Sequence, residues 1–130
     1  MMFVQYAIPA CVAPILSLYL MNNLGFSPNQ AGQIIAVLAI GAILAPFVAT
    51  YIADRFISAR IMLALCHSLA AVVMGAFSMS HSFWMVSVLY FLYGLLFLPT
   101  HGLSNTVVLH RMSDVKRDFG GIRMWGTAGW

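Results

Sequence analysis

The distribution of charged residues constrains this chain more than any other feature of its sequence. Residues 1–53 and 61–110 contain no Asp, Glu, Lys or Arg, and only 7% of the 130 residues are charged. Soluble domains are about 25% charged. Each uncharged stretch is long enough for two helices of about 20 residues, the length that crosses a bilayer. The sequence therefore predicts a multi-pass integral membrane protein.

Turn-forming residues divide each uncharged stretch into two. The segment NNLGFSPNQ, residues 22–30, interrupts the first stretch, and Ser-His-Ser at 80–82 interrupts the second. A fifth helix starts near residue 122, and its nine residues rise only about 14 Å, less than half of a hydrocarbon core of roughly 30 Å. We therefore expect residues 1–130 to be an incomplete N-terminal transmembrane domain. Its predicted spans are residues 3–22, 31–53, 61–79 and 83–108, with 122–130 as the start of a fifth.

The basic residues predict the orientation in the membrane. All six Lys and Arg residues lie in two segments, 54–60 and 110–123, which two intervening helices place on the same side. Loops rich in Lys and Arg usually face the cytoplasm. We expect both segments and the amino terminus to be cytoplasmic. Because this orientation explains the net charge of +3, no nucleic-acid partner is predicted.

Two patterns indicate that the helices form a bundle. In the second span, Gly41, Ala45, Ala49 and Ala53 recur every four residues, and such small residues allow helix backbones to approach closely. In the fourth span, the segment LPTHGLSNT, residues 98–106, brings polar side chains to membrane depth around a proline. We expect these polar groups to face protein or a water-filled cavity rather than lipid.

The sequence offers little chemistry for catalysis. No carboxylate lies inside a predicted span, and the chain has no Gly-rich phosphate loop, no paired metal-ligand spacing and no nucleophile motif. We therefore predict that it is not an enzyme and uses no cofactor or metal. His67 and His101 lie at membrane depth, where they could be protonatable, although a neutral imidazole hydrogen-bonded within the bundle is the more ordinary interpretation.

The segment YIADRFISARIML, residues 51–63, resembles the loop between helices two and three of the major facilitator superfamily. Asp54, Arg55 and Arg60 match the charges of that loop, whereas Thr50 stands where the superfamily has a glycine. In the superfamily these charged residues brace helix ends and bias the inward and outward states. The resemblance implies the same role here and an all-α fold that is part of the N-terminal six-helix half.

Three further stretches resemble the nucleoside:proton symporter family of that superfamily. They are QYAIPACVAPILSLYL, ADRFISAR continuing into LCHSLAA, and LPTHGLSNTV running on to GGIRMWGTAGW. The most specific piece is Ile-Arg-x-Trp-Gly-Thr-x-Gly at 122–129. In that family the Arg and Thr of this piece help to hold the nucleoside, which implies substrate contacts by Arg123 and Thr127. An aromatic residue one turn further lines the same pocket in the family, and Trp130 occupies that place, where Phe is more familiar.

The spacing of Arg123, Thr127 and Trp130 agrees with this implied role. Residues at i, i+4 and i+7 share one helix face. A guanidinium can donate to ribose hydroxyls or a base carbonyl, the threonine hydroxyl adds a partner, and the indole gives a stacking surface. From the residues alone, however, the favoured interpretation of Arg123 is a cytoplasmic anchor that snorkels to the interface and only orients the helix.

The resemblance implies a secondary active transporter of nucleosides, coupled to protons, in a bacterial inner membrane. Such facilitators work by alternating access, with the substrate between two six-helix halves. The implied partners are a nucleoside, a proton, the lipid bilayer and the missing C-terminal helices of the same protein, so residues 1–130 alone are not expected to transport. Two alternatives stay open: a facilitator of sugars or another small solute, and a non-transporting membrane helix module. A small multidrug exporter would need a membrane-embedded Glu, and the chain contains none.

Overall fold

The computed structural model describes residues 2–55, 58–110 and 115–130, with side chains outside the description at 46–55 and 115–119. Within these ranges the chain forms five helices: α1 (Met2–Asn22), α2 (Pro28–Arg55), α3 (Ala59–Ser78), α4 (Phe83–Leu109) and α5 (Val115–Gly129). Four of them, α1 to α4, are long and apolar enough to cross a membrane. The prediction of an all-α, multi-pass membrane protein is therefore confirmed.

Helix α5 begins at Val115, so the predicted start near residue 122 is wrong. The charges of segment 110–123 had suggested a loop, but Lys and Arg are good helix formers. A helix can also extend beyond the hydrocarbon into water, and hydropathy locates only the part that is embedded in the membrane. The ends of α1 to α4 differ from the predicted spans by three residues or fewer.

The turn between α1 and α2 is built from local backbone chemistry. Gly25 has a φ of 68°, in the left-handed region that glycine adopts without steric cost. Ser27 then caps α2: its hydroxyl accepts a hydrogen bond from the Gln30 amide at 3.3 Å, and its own amide donates to Gln30 Oε1 at 3.0 Å. This reciprocal pair is a capping box, and Pro28 occupies the first helical position, where a missing N–H is harmless.

Helix α4 lies in the middle of the described bundle. It packs against both α2 and α3, whereas α1 packs against α5 and less extensively against α2. The close approach of α2 to α4 occurs at Gly41, where a Cβ would lie 3.6 Å from the backbone of Gly94. Gly41 and Ala45 are buried, as the stripe of small residues predicts, while the side chains of Ala49 and Ala53 lie outside the described part of the chain.

Apolar side chains form both the core and the outer surface. The main core joins α1 to α4, and large apolar side chains such as Ile15, Ile43 and Val72 remain exposed on the outside of the bundle. Hydrocarbon covers such surface in a membrane at no cost, so the exposed residues fit a lipid-facing exterior. The buried members of the main core are Leu16, Leu20, Ala31, Ile34, Ala70, Phe77, Val86, Tyr90, Tyr93 and Phe97.

Candidate functional site

A cavity of about 480 Å³ lies between α1, α2, α4 and α5. Its wall on α4 reaches from Tyr90 to His101, close to the middle of that helix. At 1.5 Å per residue, roughly 20 Å of helix separates Phe97 from either end of α4, so the cavity lies near the middle of the membrane. The lining residues are Tyr6, Pro9, Val12, Ala13, Leu38, Tyr90, Tyr93, Phe97, Leu98, His101, Arg123, Gly126, Thr127 and Trp130.

Helix α5 supplies the polar wall of the cavity. Arg123, Thr127 and Trp130 all line it, so the structure brings together the three residues that the sequence placed on one helix face. The Trp130 amide donates to the Gly126 carbonyl at 3.2 Å, which continues the helical geometry to the last of these residues. Among the described lining residues, Arg123 is the only one with a permanent charge.

Two glycines let α5 lie directly against α1. A Cβ at Gly126 would lie 2.9 Å from Cδ2 of Tyr6, and a Cβ at Gly129 would overlap the carbonyl oxygen of Phe3. Both distances are shorter than ordinary Cβ contacts, so a larger residue at Gly129 would force the helices apart and one at Gly126 would displace the Tyr6 ring. The Gly-Thr-x-Gly part of the chain therefore fixes the position of the Thr127 side chain relative to α1.

Helix α4 supplies an aromatic wall, which we call the α4 row and which consists of Tyr90, Tyr93, Phe97 and His101. The rings of Tyr90 and Tyr93 are stacked with centroids 5.9 Å apart, and those of Tyr93 and Phe97 are stacked at 5.2 Å. His101 meets Phe97 edge to face at 5.4 Å. The row thus presents a continuous aromatic surface along the cavity, with a polar ring at its carboxyl end.

A buried hydrogen bond joins α1 to α4 behind this wall. Gln5 Nε2 donates to Thr100 Oγ1 at 2.6 Å, and the Thr100 hydroxyl donates in turn to the Phe97 carbonyl. Gln5 is 3% exposed and Thr100 is fully buried. A polar pair buried at this depth is costly unless it is satisfied, so the bond specifies how α1 and α4 are aligned.

The polar residues around Pro99 lie mostly inside the protein, as expected. Thr100 and Ser104 are fully buried, and His101 is half-buried against the cavity. Thr106 is exposed, and its hydroxyl is satisfied by the Gly102 carbonyl at 3.2 Å. The expectation is therefore confirmed for the residues nearest the proline.

The two histidines at membrane depth differ. The His67 ring is hydrogen-bonded through Nδ1 to the Leu63 carbonyl at 2.9 Å, which confirms the interpretation of a satisfied imidazole. His101 Nδ1 is buried and has no hydrogen-bond partner among the described residues. The ring of His101 instead packs on Tyr6, with centroids 5.0 Å apart, and on Phe97.

The charged residues of the α2–α3 connection lie at the end of α2 and at the start of α3. Asp54 and Arg55 end α2, and their side chains lie outside the part of the chain that the structure describes. Arg60 lies in the first turn of α3 and is exposed. Of these, the described residue Arg60 is not part of the cavity lining.

The sequence interpretation missed the α4 row and the contribution of α1. Tyr93, Phe97 and His101 are spaced i, i+4 and i+8, so they share a helix face, and this aromatic periodicity was a usable signal. Tyr6 and Gln5 gave no comparable signal, because only the packing of α1 against α5 and its hydrogen bond to Thr100 of α4 bring them to the site.

Comparison with known proteins connects this chain to a transporter family. A family model described as nucleoside H+ symporter matches residues 1–130. The nucleoside permease NupG of Escherichia coli K12 is 27% identical over 131 residues, which cover 98% of this chain and 31% of the permease. The xanthosine permease of the same organism is 31% identical over 137 residues, and these cover 99% of this chain and 32% of that protein.

The fold comparison agrees with the sequence comparison. A crystal structure of the nucleoside transporter NupG superimposes with a TM-score of 0.92 at 26% sequence identity, covering 98% of this chain and 33% of that one. The YegT protein of Escherichia coli K12 is 37% identical over 130 residues, all of this chain and 30% of YegT. The chain thus spans about a third of the length of the curated relatives it matches.

Proposed function

Because the chain belongs to the nucleoside H+ symporter family, we propose that the full-length protein carries nucleosides together with protons across the membrane. The family consists of transporters, not enzymes. The proposal concerns the whole protein, since residues 1–130 correspond to about a third of its relatives. In this account the present chain supplies one wall of the substrate site, and transport proceeds by alternating access.

The observation that carries the proposal is the placement of Arg123, Thr127 and Trp130 on one wall of a mid-membrane cavity that faces an aromatic wall. Ligand sites are typically clefts of roughly 300–1,000 Å³ with mostly apolar linings and a few placed polar groups. The cavity of about 480 Å³ falls within that range. A nucleoside has the matching chemistry, because it combines a planar base with a sugar that carries hydroxyl groups.

Each of the three α5 residues takes a separate role in this proposal. The guanidinium of Arg123 donates to ribose hydroxyls or to a base carbonyl, and the Thr127 hydroxyl adds a second polar contact. The indole of Trp130 stacks on the base. It lines the cavity, where a bound base would lie. A ring larger than Phe at this position is expected to alter the preference among bases.

The charged segments give the proposal an orientation. With the α2–α3 connection and the segment between α4 and α5 in the cytoplasm, the amino terminus is cytoplasmic as well, in a bacterial inner membrane. Asp54, Arg55 and Arg60 then brace the cytoplasmic helix ends and bias the inward and outward states. Nucleic acid has no part in this account, because the basic residues serve orientation.

The family resemblance implies that proton coupling uses an acidic residue. No carboxylate is among the described lining residues. We assign the acidic coupling residue and the opposite wall of the site to helices that follow residue 130, as the family resemblance implies. The partners of the chain are then a nucleoside, a proton, the lipid bilayer and those further helices.

Uptake of radiolabelled uridine tests the proposal with a matched pair of tryptophans. The full-length protein is expressed in a bacterial strain without its own nucleoside uptake. Trp130 and Trp125 both lie near the end of the described chain and are 70% and 65% exposed, but Trp125 is not among the residues that line the cavity. Stacking of a base on an aromatic ring contributes about 1–3 kcal/mol. Trp130→Ala should therefore raise the KM for uridine at least about fivefold, whereas Trp125→Ala should leave it near the wild-type value.

Two further measurements complete this experiment. A protonophore should abolish uridine accumulation above the external concentration, and unlabelled adenosine should compete where glucose and lactose do not. Equal effects of the two tryptophan changes would contradict the assigned site. Uptake of sugars without uptake of nucleosides would contradict the substrate class and favour the sugar-carrier alternative.

A further inference from the structure

The imidazole of His101 has a ring nitrogen that no described residue pairs with. Within residues 2–55, 58–110 and 115–130, its Nδ1 is the one buried side-chain nitrogen or oxygen found without a partner. A buried polar atom left unpaired costs as much as a lost hydrogen bond, or more, so native proteins almost always provide it with a partner. A bound ligand is one such partner.

The usual local partner of a helical histidine is missing at this position. His67 shows the common arrangement, in which Nδ1 is hydrogen-bonded to the carbonyl four residues earlier. The corresponding carbonyl for His101 belongs to Phe97, and it accepts the hydroxyl of Thr100 instead. Thr100 is itself held by Gln5 of α1, so this use of the carbonyl is part of the α1–α4 contact.

Packing holds the His101 ring against the cavity. The ring lies between Tyr6 of α1 and Phe97 of α4, with centroid distances of 5.0 Å and 5.4 Å, and it is one of the cavity-lining residues. A half-turn about the Cβ–Cγ bond exchanges Nδ1 with Cδ2, so the nitrogen can change sides without any movement of the backbone. The ring is therefore held against the cavity in either orientation.

We propose that His101 is a further substrate-binding residue, whose imidazole forms a hydrogen bond with a sugar hydroxyl of the transported nucleoside. This inference rests on the nucleoside transport proposed above. A neutral imidazole has one donor and one acceptor, and a hydroxyl both donates and accepts, so the pair forms with either tautomer.

The order of rings on α4 assigns the sugar to the end of the cavity where His101 lies. Successive members of the α4 row from Tyr93 onward are four residues, or about 6 Å, apart along the helix axis. Tyr93 and Phe97 are stacked on each other in the cavity wall, and the imidazole of His101 follows next along the helix. A nucleoside whose base lies along the aromatic rings then has its sugar beside His101.

Competition with deoxynucleosides tests this contact in the full-length protein. Unlabelled 2′-, 3′- and 5′-deoxyuridine compete against radiolabelled uridine for uptake by the wild-type protein, His101→Leu and His101→Gln. We expect one of the three analogues to inhibit the wild-type protein roughly fivefold to tenfold less strongly than uridine does. His101→Leu should bring that ratio close to one and leave the ratios of the other two analogues unchanged. His101→Gln, whose amide both donates and accepts, should preserve part of the discrimination.

A matched histidine serves as the control. His81 lies in the turn between α3 and α4, is exposed and is not among the described lining residues, so His81→Leu should keep all three wild-type ratios. Each comparison is a ratio within one variant, so the amount of folded protein cancels. If His101→Leu does not reach the membrane, His101→Ala supplies the same ratios.

The outcomes separate this inference from the function on which it rests. Loss of discrimination against a single analogue in the leucine variant, with partial retention in the glutamine variant, supports the contact. If His101→Leu changes the inhibition by uridine and by all three analogues equally, or changes none of it, the inference is overturned. A partner within the protein then explains the buried nitrogen. Absence of uridine uptake by the wild-type protein would overturn the proposed function and this inference together.

Discussion

Replacing Gly129 with alanine is expected to separate α5 from α1. A Cβ at this position would overlap the carbonyl oxygen of Phe3 and would lie 3.1 Å from the carbonyl carbon and 3.2 Å from Cα of the same residue. Contacts between carbon atoms are most favourable at roughly 3.5–4.0 Å. All three obstructing atoms belong to the backbone and cannot rotate away, so the helix itself has to move by several tenths of an ångström.

The size of the effect follows from the cost of overpacking. Inserting a methyl group into a packed interior destabilises a protein by about 1–3 kcal/mol. Thr127 and Trp130 flank Gly129, so the displacement also moves two proposed substrate contacts. For the full-length protein we expect a lower melting temperature in detergent and a higher KM for uridine, measured on the same preparations.

Other glycines of the bundle provide graded controls. A Cβ at Gly75 or Gly102 meets no atom of the described residues within 4 Å, and alanine is the better helix former by about 1 kcal/mol, so these changes should leave the melting temperature equal or higher. Gly126→Ala should be intermediate, because the obstructing Tyr6 ring can turn. If Gly129→Ala has the same melting temperature and uridine uptake as Gly102→Ala, the close packing of α1 on α5 is refuted.

Three further predictions concern the remaining contacts and the chain as a whole. Gln5→Leu removes the buried hydrogen bond to Thr100 and should lower the free energy of unfolding in detergent by about 1 kcal/mol. Adding Thr100→Val to this variant should lower it little further, because the bond is already lost. Fully additive effects of the two substitutions would contradict the pairing. Gly94→Ala brings a Cβ to 2.7 Å from the Leu38 Cδ1 atom, so its loss of thermal stability should be recovered by adding Leu38→Ala; a loss that persists would mean that the obstruction is backbone. Residues 1–130 expressed alone should give no proton-dependent uridine uptake above the empty vector, because they provide only one wall of the proposed site; robust uptake would contradict this division.

The sequence predicted the four spans because their limits are set by local chemistry. Charged residues and turn formers mark where a helix leaves the hydrocarbon, and the capping box at Ser27 and Gln30 marks where α2 begins. The start of α5 was missed because the same rule fails where a helix continues beyond the membrane. In α5 the charged residues mark where the helix meets water, whereas the helix itself begins earlier, at Val115.

The candidate site was predictable on one side of the cavity only. Periodicity alone places Arg123, Thr127 and Trp130 on one face of a helix. Which residues face them depends on how each helix is rotated and how closely it approaches its neighbours. The Tyr6 ring meets the site because Gly126 lets α1 come near, and that contact between residues far apart in the chain has no local signal.

Binding of uridine to the purified full-length protein, with and without Arg123→Ala, tests the central claim most directly. Arg123 is the only residue with a permanent charge in the described cavity lining, so it should provide the strongest polar contact to the substrate. Isothermal titration calorimetry should detect uridine binding by the wild-type protein and a dissociation constant at least about tenfold higher in the variant, with the melting temperature unchanged. Uridine binding of equal affinity in both proteins, or no binding of any nucleoside by the wild-type protein, would contradict the account.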